Sequence, residues 1–528
     1  VGTLDDLFRR FEHLNDIGAS LSNERDLNRL LEKITLAAKT ITRADGGTLY
    51  LLSEDRRHLH FEIVHTDSLK IVFGGTSGNP VSGKFPDLPL YRDDGSANDT
   101  LVAVHAALSG KTVNIADAYV ARGFDFSGTR KFDERTGYRS QSFLTVPMRN
   151  HEGEIIGVLQ LINAQMPEHD VVVPFSEADQ RLAESLASQA AIALTNRQLL
   201  HQLEVLFESF IRLINSAIDD KSPYTGEHCQ RVPELTMMLA EAAHETGEGP
   251  LADFRLTDRD RYELRIAALL HDCGKVTTPV HVVDKATKLQ TIFDRIELID
   301  TRFELLRRDA EIRMLRQVAA GVPGERAEAE FREFVANMEV DRSFLHQANV
   351  GSERMSDDDI ERVRSIATGY RWQEASGVEV DFLSADEIEN LCIRAGTLTQ
   401  QERHIINYHV SATIRMLEQL PWPRHLKNVP EYAGGHHERM DGKGYPRGLK
   451  REQMSWQARM MGIADIFEAL TARDRPYKPG MTLSQALGIL EKFRENGHID
   501  PDLHDVFIGS EIYRRYAAKF LDAKQVDC

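Results

Sequence analysis

From Leu182 to Ala217 the residues Leu182, Leu186, Gln189, Ala193, Asn196, Leu200, Leu203, Phe207, Phe210, Ile214 and Ala217 follow one another at alternating steps of four and three. Only a continuous α-helix keeps such a series on one side of the backbone. Just ahead of it, Ser176 and Asp179 stand as cap and third helical residue, an approximate capping box. The period also fits a helix packed on the core of its own domain. Its persistence over about five heptads, with polar Gln189 and Asn196 of the kind that fix register, favours a parallel coiled coil between two copies of the chain. A helix over 176–218 would carry any change in the preceding region into the following one.

With 528 residues the chain exceeds one ordinary core, so two or three domains are expected on either side of that helix. A hydrophobic content of 41% and a charged content of 28% describe a soluble globular protein. The formal charge of −18 argues against a nucleic-acid polymer as partner, because phosphate neutralisation needs clustered Lys and Arg. A small phosphorylated ligand stays open, since a metal site reverses the local potential. Cys229, Cys273, Cys392 and Cys528 show no paired spacing, which points to a reducing cytoplasm. No apolar run approaches the roughly 20 residues that span a bilayer, and no signal peptide is present. Opening on Val1 within a helical pattern, the sequence reads as a piece cut from a longer protein.

Before the long helix the pattern is mixed. Leu4 to Thr40 reads as helix, Ala44–Gly47 as a break, and Thr48–Leu52 and His58–Val64 as strands. Phe143–Pro147 and Ile155–Ile162 add two strands, joined through Asn150-His151-Glu152-Gly153 as a hairpin. Helix, mostly antiparallel sheet, glycine-rich middle and closing helix make a small α+β sensor layout. The runs Thr136 to Pro147 and Gly157 to Asn163 resemble a GAF domain over 21–175, preceded by a helix over 1–20. The subset that binds cyclic nucleotides is the closest, and that resemblance implies a small ligand such as a cyclic nucleotide. Asn163, Phe175 and Asp179 match the subset's signature, whereas Ala164 and Gln180 replace its lysine and final acid. The alternative is a dimerisation domain with an empty pocket.

From 219 to 528 the pattern is helical throughout. A turn over Asp220–Glu227 leads into a helix with His228, Arg231 and Val232, and the apolar Leu264–Leu270 delivers His271 and Asp272. Glu402–Leu420 carries His409, and Arg459–Arg473 carries Asp465. An insertion over about 287–396 has Phe293, Ile296, Ile299, Phe303 and Leu306 at helical spacing, which reads as a helical hairpin and a packing or partner surface.

A lone His-Asp pair is commonplace. Here His271-Asp272-Cys273-Gly274-Lys275 is followed by His409, by His436-His437 and by Asp465, which together offer four imidazoles and two carboxylates. One carboxylate between imidazoles suits two cations roughly 3.5–4 Å apart. With no thiolate in the set, Fe, Mn, Ni or Zn is favoured over a structural Cys–zinc site. Adjacent His436 and His437 cannot both ligate from one regular helix face, and Gly434-Gly435 before them supplies backbone freedom.

The order of these pieces resembles the HD-GYP family of bacterial phosphodiesterases, over about Asp219 to Met481 apart from the insertion. The resemblance implies a metal-dependent hydrolase acting on cyclic di-GMP, with pGpG, GMP or both as the end product. It implies metal ligation by His271, Asp272, His409, His436, His437 and Asp465, with Asp272 bridging, and a phosphate contact from Lys275. Gly444-Tyr445-Pro446 follows the family's loop, and Arg475 and Lys478 match residues that hold substrate. Iron or manganese is expected, with nickel, zinc or magnesium as alternatives. Some members bind a third metal through the equivalent of His228 and an acid four residues earlier; Tyr224 takes that place, leaving His228 as an optional ligand or a donor behind the ligands. His409 is preferred to His404 on the run Leu398-Thr399 and Asn407-Tyr408-His409. The expected whole is an α+β GAF domain joined by a coiled-coil helix to an all-α HD-superfamily domain with a helical insertion. The competing functions are a receptor that binds a cyclic dinucleotide without turnover, and a phosphodiesterase for a hybrid cyclic dinucleotide.

Overall fold

The computed structural model describes residues 2–24, 26–166, 169–221, 228–351, 354–472 and 480–528. They form two compact units, Val1–Phe207 and Glu208–Cys528.

The first unit opens with α1 (Gly2–Asn23) and α2 (Leu27–Thr42). The expected single helix is therefore two, and Asp26 separates them by capping α2, its carboxylate accepting from Arg29 N at 2.8 Å. The strands are β1 (Ala44–Leu52), β2 (His58–Thr66), β3 (Ile71–Gly74), β4 (Leu88–Pro89), β5 (Val113–Ile115), β6 (Phe143–Arg149), β7 (Ile155–Met166) and β8 (His169–Val173). They make one antiparallel sheet in the order β3-β2-β1-β7-β6-β5, with β4 on β2 and β8 on β7. Ala44–Gly47 is no break but the start of β1. A Cβ on Gly47 would lie 2.9 Å from Thr35 Cγ2, so glycine lets the strand run close beneath α2.

Alternation along the strands sends Leu49, Ile63, Leu144, Val146, Leu159 and Leu161 into one core with α1, α2 and the start of α5 (Glu177–Lys221). On the opposite face Tyr50, Leu59 and Val158 pack on α3 (Val102–Ser109), while α4 (Ser127–Thr136) follows β5. Asn163 adopts a positive φ of 58°, and its side chain ties down the entry to β6. Its Oδ1 accepts from Gln141 N (2.7 Å) and Ser142 N (3.2 Å), and its Nδ2 donates to Arg139 O (2.8 Å). Asp179 caps α5 by accepting from Ser176 N at 2.9 Å and also pairs with Arg10 of α1. An acid–base pair is thus present although Ala164 offers no lysine.

The heptad series divides into two stretches, the first packed on its own domain's core as one of the two readings expects. Leu182 and Leu186 are buried in the GAF-side core with Ala183, Ala187, Ala190 and Leu194. Beyond them Leu200, Leu203 and Phe210 are 55%, 59% and 55% exposed in the single chain, leaving an uncovered apolar stripe.

The second unit contains α6 (His228–Glu245), α7 (Asp258–Leu270), α8 (Val280–Val283), α9 (Ile296–Ala319), α10 (Gly324–Val350), α11 (Asp357–Gly369) and α12 (Ala385–Leu391). It continues with α13 (Gln400–Glu418), α14 (Val429–Gly434), α15 (Trp456–Thr471), α16 (Leu483–Glu495), α17 (Pro501–Gly509) and α18 (Ile512–Phe520). The insertion has a core of its own, with Ile299, Phe303, Met338, Leu345, Val363, Phe382 and Leu391 at its centre. The helical hairpin is α9 with α10. It is not wholly helical, because β9 (Arg371–Gln373) and β10 (Glu379–Asp381) form a small antiparallel hairpin. No helix among the described residues is long and apolar enough to cross a membrane.

Candidate metal centre

α7 is started by a capping box between Thr257 and Asp260 and stopped at His271, where the chain turns into a 3-10 segment, Cys273–Thr277. His271 and Asp272 therefore leave a rigid apolar helix at its end. Both are buried. The 3-10 segment lies directly on α13: Gly274 N donates to Thr413 Oγ1 at 2.9 Å, and Thr413 Oγ1 donates to His271 O at 3.1 Å. One turn before Thr413, the same helix presents His409, 3% exposed, whereas His404 faces solvent. α14 ends at Gly434, so His436 and His437 leave the helix one after the other. Gly434 and Gly435 do not supply unusual backbone freedom, since neither has a positive φ. Their role is close packing: a Cβ on Gly434 would lie 2.5 Å from Ile414 Cγ1, and one on Gly435 2.8 Å from Ala458 Cβ.

Ring nitrogens show how these imidazoles are aimed. Nδ1 of His271, His409 and His436 each lies within hydrogen-bond distance of the carbonyl three residues earlier, at 2.8, 2.6 and 2.6 Å. Donation from Nδ1 places the lone pair on Nε2 in all three, pointing inward. His228 is held differently, with Nδ1 2.5 Å from Glu468 Oε2, and Glu468 also accepts from Arg231 Nε at 2.7 Å.

The side chains gather as two triplets, His228, His271 and Asp272 in one and His409, His436 and His437 in the other, each within 4.8 Å. Asp272 lies between them. Its Oδ2 is 3.1 Å from His228 Nε2 and 3.3 Å from His271 Nε2, and its Oδ1 is 3.2 Å from His409 Nε2. Asp465, on α15, also spans both, with Oδ1 3.3 Å from His228 Nε2 and Oδ2 4.0 Å from His437 Nε2. Lys275 Nζ sits 2.5 Å from Asp272 Oδ2.

Asp272 Oδ1, His409 Nε2 and His436 Nε2 are buried without a hydrogen-bond partner. Leaving such atoms unsatisfied costs about 1–3 kcal/mol each. With its proton on Nδ1, His409 turns a lone pair toward a carboxylate oxygen 3.2 Å away. Two acceptors facing each other in a buried space call for a cation, and this donor set fits one. Burial and neighbouring imidazoles hold His436 well below the usual range and His437 down to about 4. Burial alone would raise Asp272, but Lys275 and His271 hold it well below the carboxylate range. Neutral imidazoles and charged carboxylates are the forms that ligate metals. His228 differs: against burial, Glu468 and Asp272 push it up to about 10. Burial pushes the Cys273 thiol up to about 11, so no thiolate joins the set.

Beside the second triplet runs Asp441 to Pro446. Glu438 is buried and accepts from Arg447 N and Leu449 N, both at 2.8 Å, which closes the loop. Gly444 lies so near Glu438 Cα that a Cβ would come within 2.4 Å. The Tyr445 ring stacks on His437 with centroids 4.9 Å apart, and a cis Tyr445–Pro446 bond follows. Arg475, Lys478 and Tyr224 lie outside the described residues. Sequence reasoning left His228 optional and missed Glu468, Thr413 and Glu438. The only linear hint was spacing, since Glu468 follows Asp465 by three positions on one helix.

Family comparison agrees with this division. A GAF domain model matches residues 26–194, and HD domain models match 225–332 and 385–503. The chain thus carries a GAF domain followed by an HD domain. With the histidine pair and the Gly444-Tyr445-Pro446 loop in place, it is consistent with a GAF–HD-GYP protein. A 3'3'-cGAMP-specific phosphodiesterase of Vibrio cholerae is 36% identical over 120 residues, 23% of this chain and 27% of that protein. A cyclic di-GMP phosphodiesterase of Pseudomonas aeruginosa is 37% identical over 115 residues, 22% of this chain and 27% of that protein. A dual cyclic-AMP and -GMP phosphodiesterase of Drosophila melanogaster is 30% identical over 205 residues, 38% of this chain and 13% of that protein. The matched stretches therefore cover only about a quarter or less of these relatives' lengths.

Proposed function

We propose that the chain is a metal-dependent phosphodiesterase that hydrolyses a cyclic dinucleotide, with cyclic di-GMP as the substrate. The observation that carries this reading is the pair of inward-facing, unpartnered acceptors, Asp272 Oδ1 and His409 Nε2, between two clusters of imidazoles. His271, Asp272 and Asp465 would hold one divalent cation, with His228 as an optional further ligand or a donor behind them, and His409, His436, His437 and Asp272 would hold the other. When bound, such a pair polarises a phosphoryl oxygen and makes water a nucleophile near neutral pH. The chain's own contributions are orientation and charge. Lys275, poised beside Asp272, neutralises charge gathering on the scissile phosphate. Tyr445, stacked on His437, would flank a substrate bound beside the second triplet. Arg475 and Lys478 would hold the rest of the substrate. The donor set suits iron or manganese.

A second reading, the hybrid 3'3'-cGAMP as substrate, is favoured by relatives of that specificity at 36% and 39% identity. The GAF domain would regulate turnover through a small ligand, with α5 as the covalent path between the domains and its exposed stripe pairing two copies. Metal analysis of anaerobically purified protein, with product identification on cyclic di-GMP and 3'3'-cGAMP, tests the proposal. Two cations per chain and a linear dinucleotide or mononucleotide product are expected. Binding of either dinucleotide without product would overturn it in favour of a receptor.

A further inference from the structure

The insertion's neck is tied to the start of α13, the helix that carries His409. Lys285, just before the insertion, has a side chain only 1% exposed. Its Nζ donates to Asn390 Oδ1 at 2.8 Å and to both carboxylate oxygens of Glu402 at 2.8 Å. Asn390 lies on α12 beside Leu391, which is part of the insertion's core. Glu402 is the third residue of α13 and already completes that helix's capping box, accepting from Thr399 N at 2.8 Å while its own N–H donates to Thr399 Oγ1 at 3.2 Å. The Lys285 carbonyl accepts from Thr397 Oγ1 at 2.9 Å, which ties the segment entering the insertion to the segment leaving it.

The cap does not need the lysine. Thr399 and Glu402 satisfy the first turn of α13 by themselves, and a buried ion pair adds little net stability over an apolar pair of the same shape. What it does add is a single allowed position. His409 follows Glu402 by seven residues, two turns along the same face of α13. Any slide or roll of α13 at its start moves His409 Nε2 relative to Asp272 Oδ1, now 3.2 Å away. We propose that Lys285 is a positioning residue: through Glu402 it fixes α13, and with it His409, so that the insertion's neck sets the geometry of the second triplet.

This inference rests on the two-cation reading, and its test separates the two. Manganese is titrated into metal-free full-length protein, with bound metal counted and the electron paramagnetic resonance spectrum recorded beside a thermal melt. The wild type is expected to take two equivalents and give an exchange-coupled spectrum. Lys285→Met breaks the link. Glu402→Gln keeps the cap, because glutamine serves equally at that position, but removes the charge. Each is expected to bind the first equivalent normally and the second ~10-fold or more weakly, the scale seen when a partner behind a ligand is lost. The spectrum would become that of isolated ions. In Lys285→Met combined with Glu402→Gln no charge is left unpaired, so the melting temperature should recover while the second equivalent stays weak. Wild-type affinity for both equivalents in the single variants overturns the inference, as does recovery of the second equivalent with stability in the double variant. A wild type that binds no manganese overturns the underlying two-cation reading as well.

Discussion

Replacing Gly274 by alanine tests the centre at its tightest seam. A Cβ there would lie 2.0 Å from His409 O, 2.6 Å from Thr413 N and 2.7 Å from Thr413 Oγ1. Two of these are backbone atoms inside α13, so no side chain can turn aside. Restoring an ordinary contact of ~3.5 Å requires the 3-10 segment and α13 to part by about 1.5 Å. Asp272 is two residues away and faces His409 Nε2 at 3.2 Å, so it moves with the segment. Metal–ligand distances tolerate about 0.2 Å, and a misplacement of about 1 Å costs on the order of 100-fold in rate. Overpacking should also remove about 1–3 kcal/mol of stability. Gly274→Ala is therefore expected to stay folded, to lose the second metal equivalent and to hydrolyse substrate at about a hundredth of the wild-type rate or less. Gly488→Ala on α16 is the control, because nothing lies within 4 Å of the new methyl; helix propensity predicts a neutral or slightly stabilising change. Gly274→Ala with metal affinity and turnover within twofold of wild type would refute the reasoning.

Three further outcomes follow from other parts of the molecule. His271→Ala and Asp272→Ala should each abolish product formation while leaving the circular dichroism spectrum unchanged, and Asp272→Ala should weaken both metal equivalents because its two oxygens face different triplets; full activity in either purified variant would contradict the assignment. Lys288 is buried against Met355 Sδ and Leu391 O, and burial outweighs the attraction of Asp359 and pushes its ammonium down to about 8. Between about pH 8 and its unfolded value near 10.4 the unfolded chain binds the extra proton, so stability of the insertion should rise with pH by up to about 3 kcal/mol; hydrogen exchange of α9 and α10 should show that rise, and Lys288→Met should flatten it. Leu203→Asp should turn a dimer into a monomer in analytical ultracentrifugation, and an unchanged dimer would exclude pairing through α5.

Much of the architecture was legible because periodicity reports which face of an element is wet. The strands expected over Phe143–Pro147 and Ile155–Ile162 reappear as β6 and β7, and the apolar run before His271 as α7. What stayed hidden depends on distance through space. Nothing along the chain says that Asp272 turns one oxygen toward His228 and the other toward His409, or that Glu468 fixes the His228 ring. Glycines misled twice, at Gly46-Gly47 and at Gly434-Gly435, because a glycine needed for a close crossing looks in sequence like one needed for a bend. The hairpin of β9 and β10 escaped notice because its strands are three residues each, mostly exposed and rich in charge.

The division of labour along α5 bears on how a signal could travel. Leu182 and Leu186 are already committed to their own domain's interior, and the free stripe starts beyond them, at Ile192, and runs on through Leu199 and Leu203. Two copies meeting along that stripe would be joined downstream of the sensor's packed end, so a small rotation imposed by a ligand upstream would arrive as a change of register between the partners. In that arrangement the residues between Leu186 and Leu199 would be the bearing of the device, and lengthening the helix there by three or four residues should change the phase between the two domains while unfolding neither.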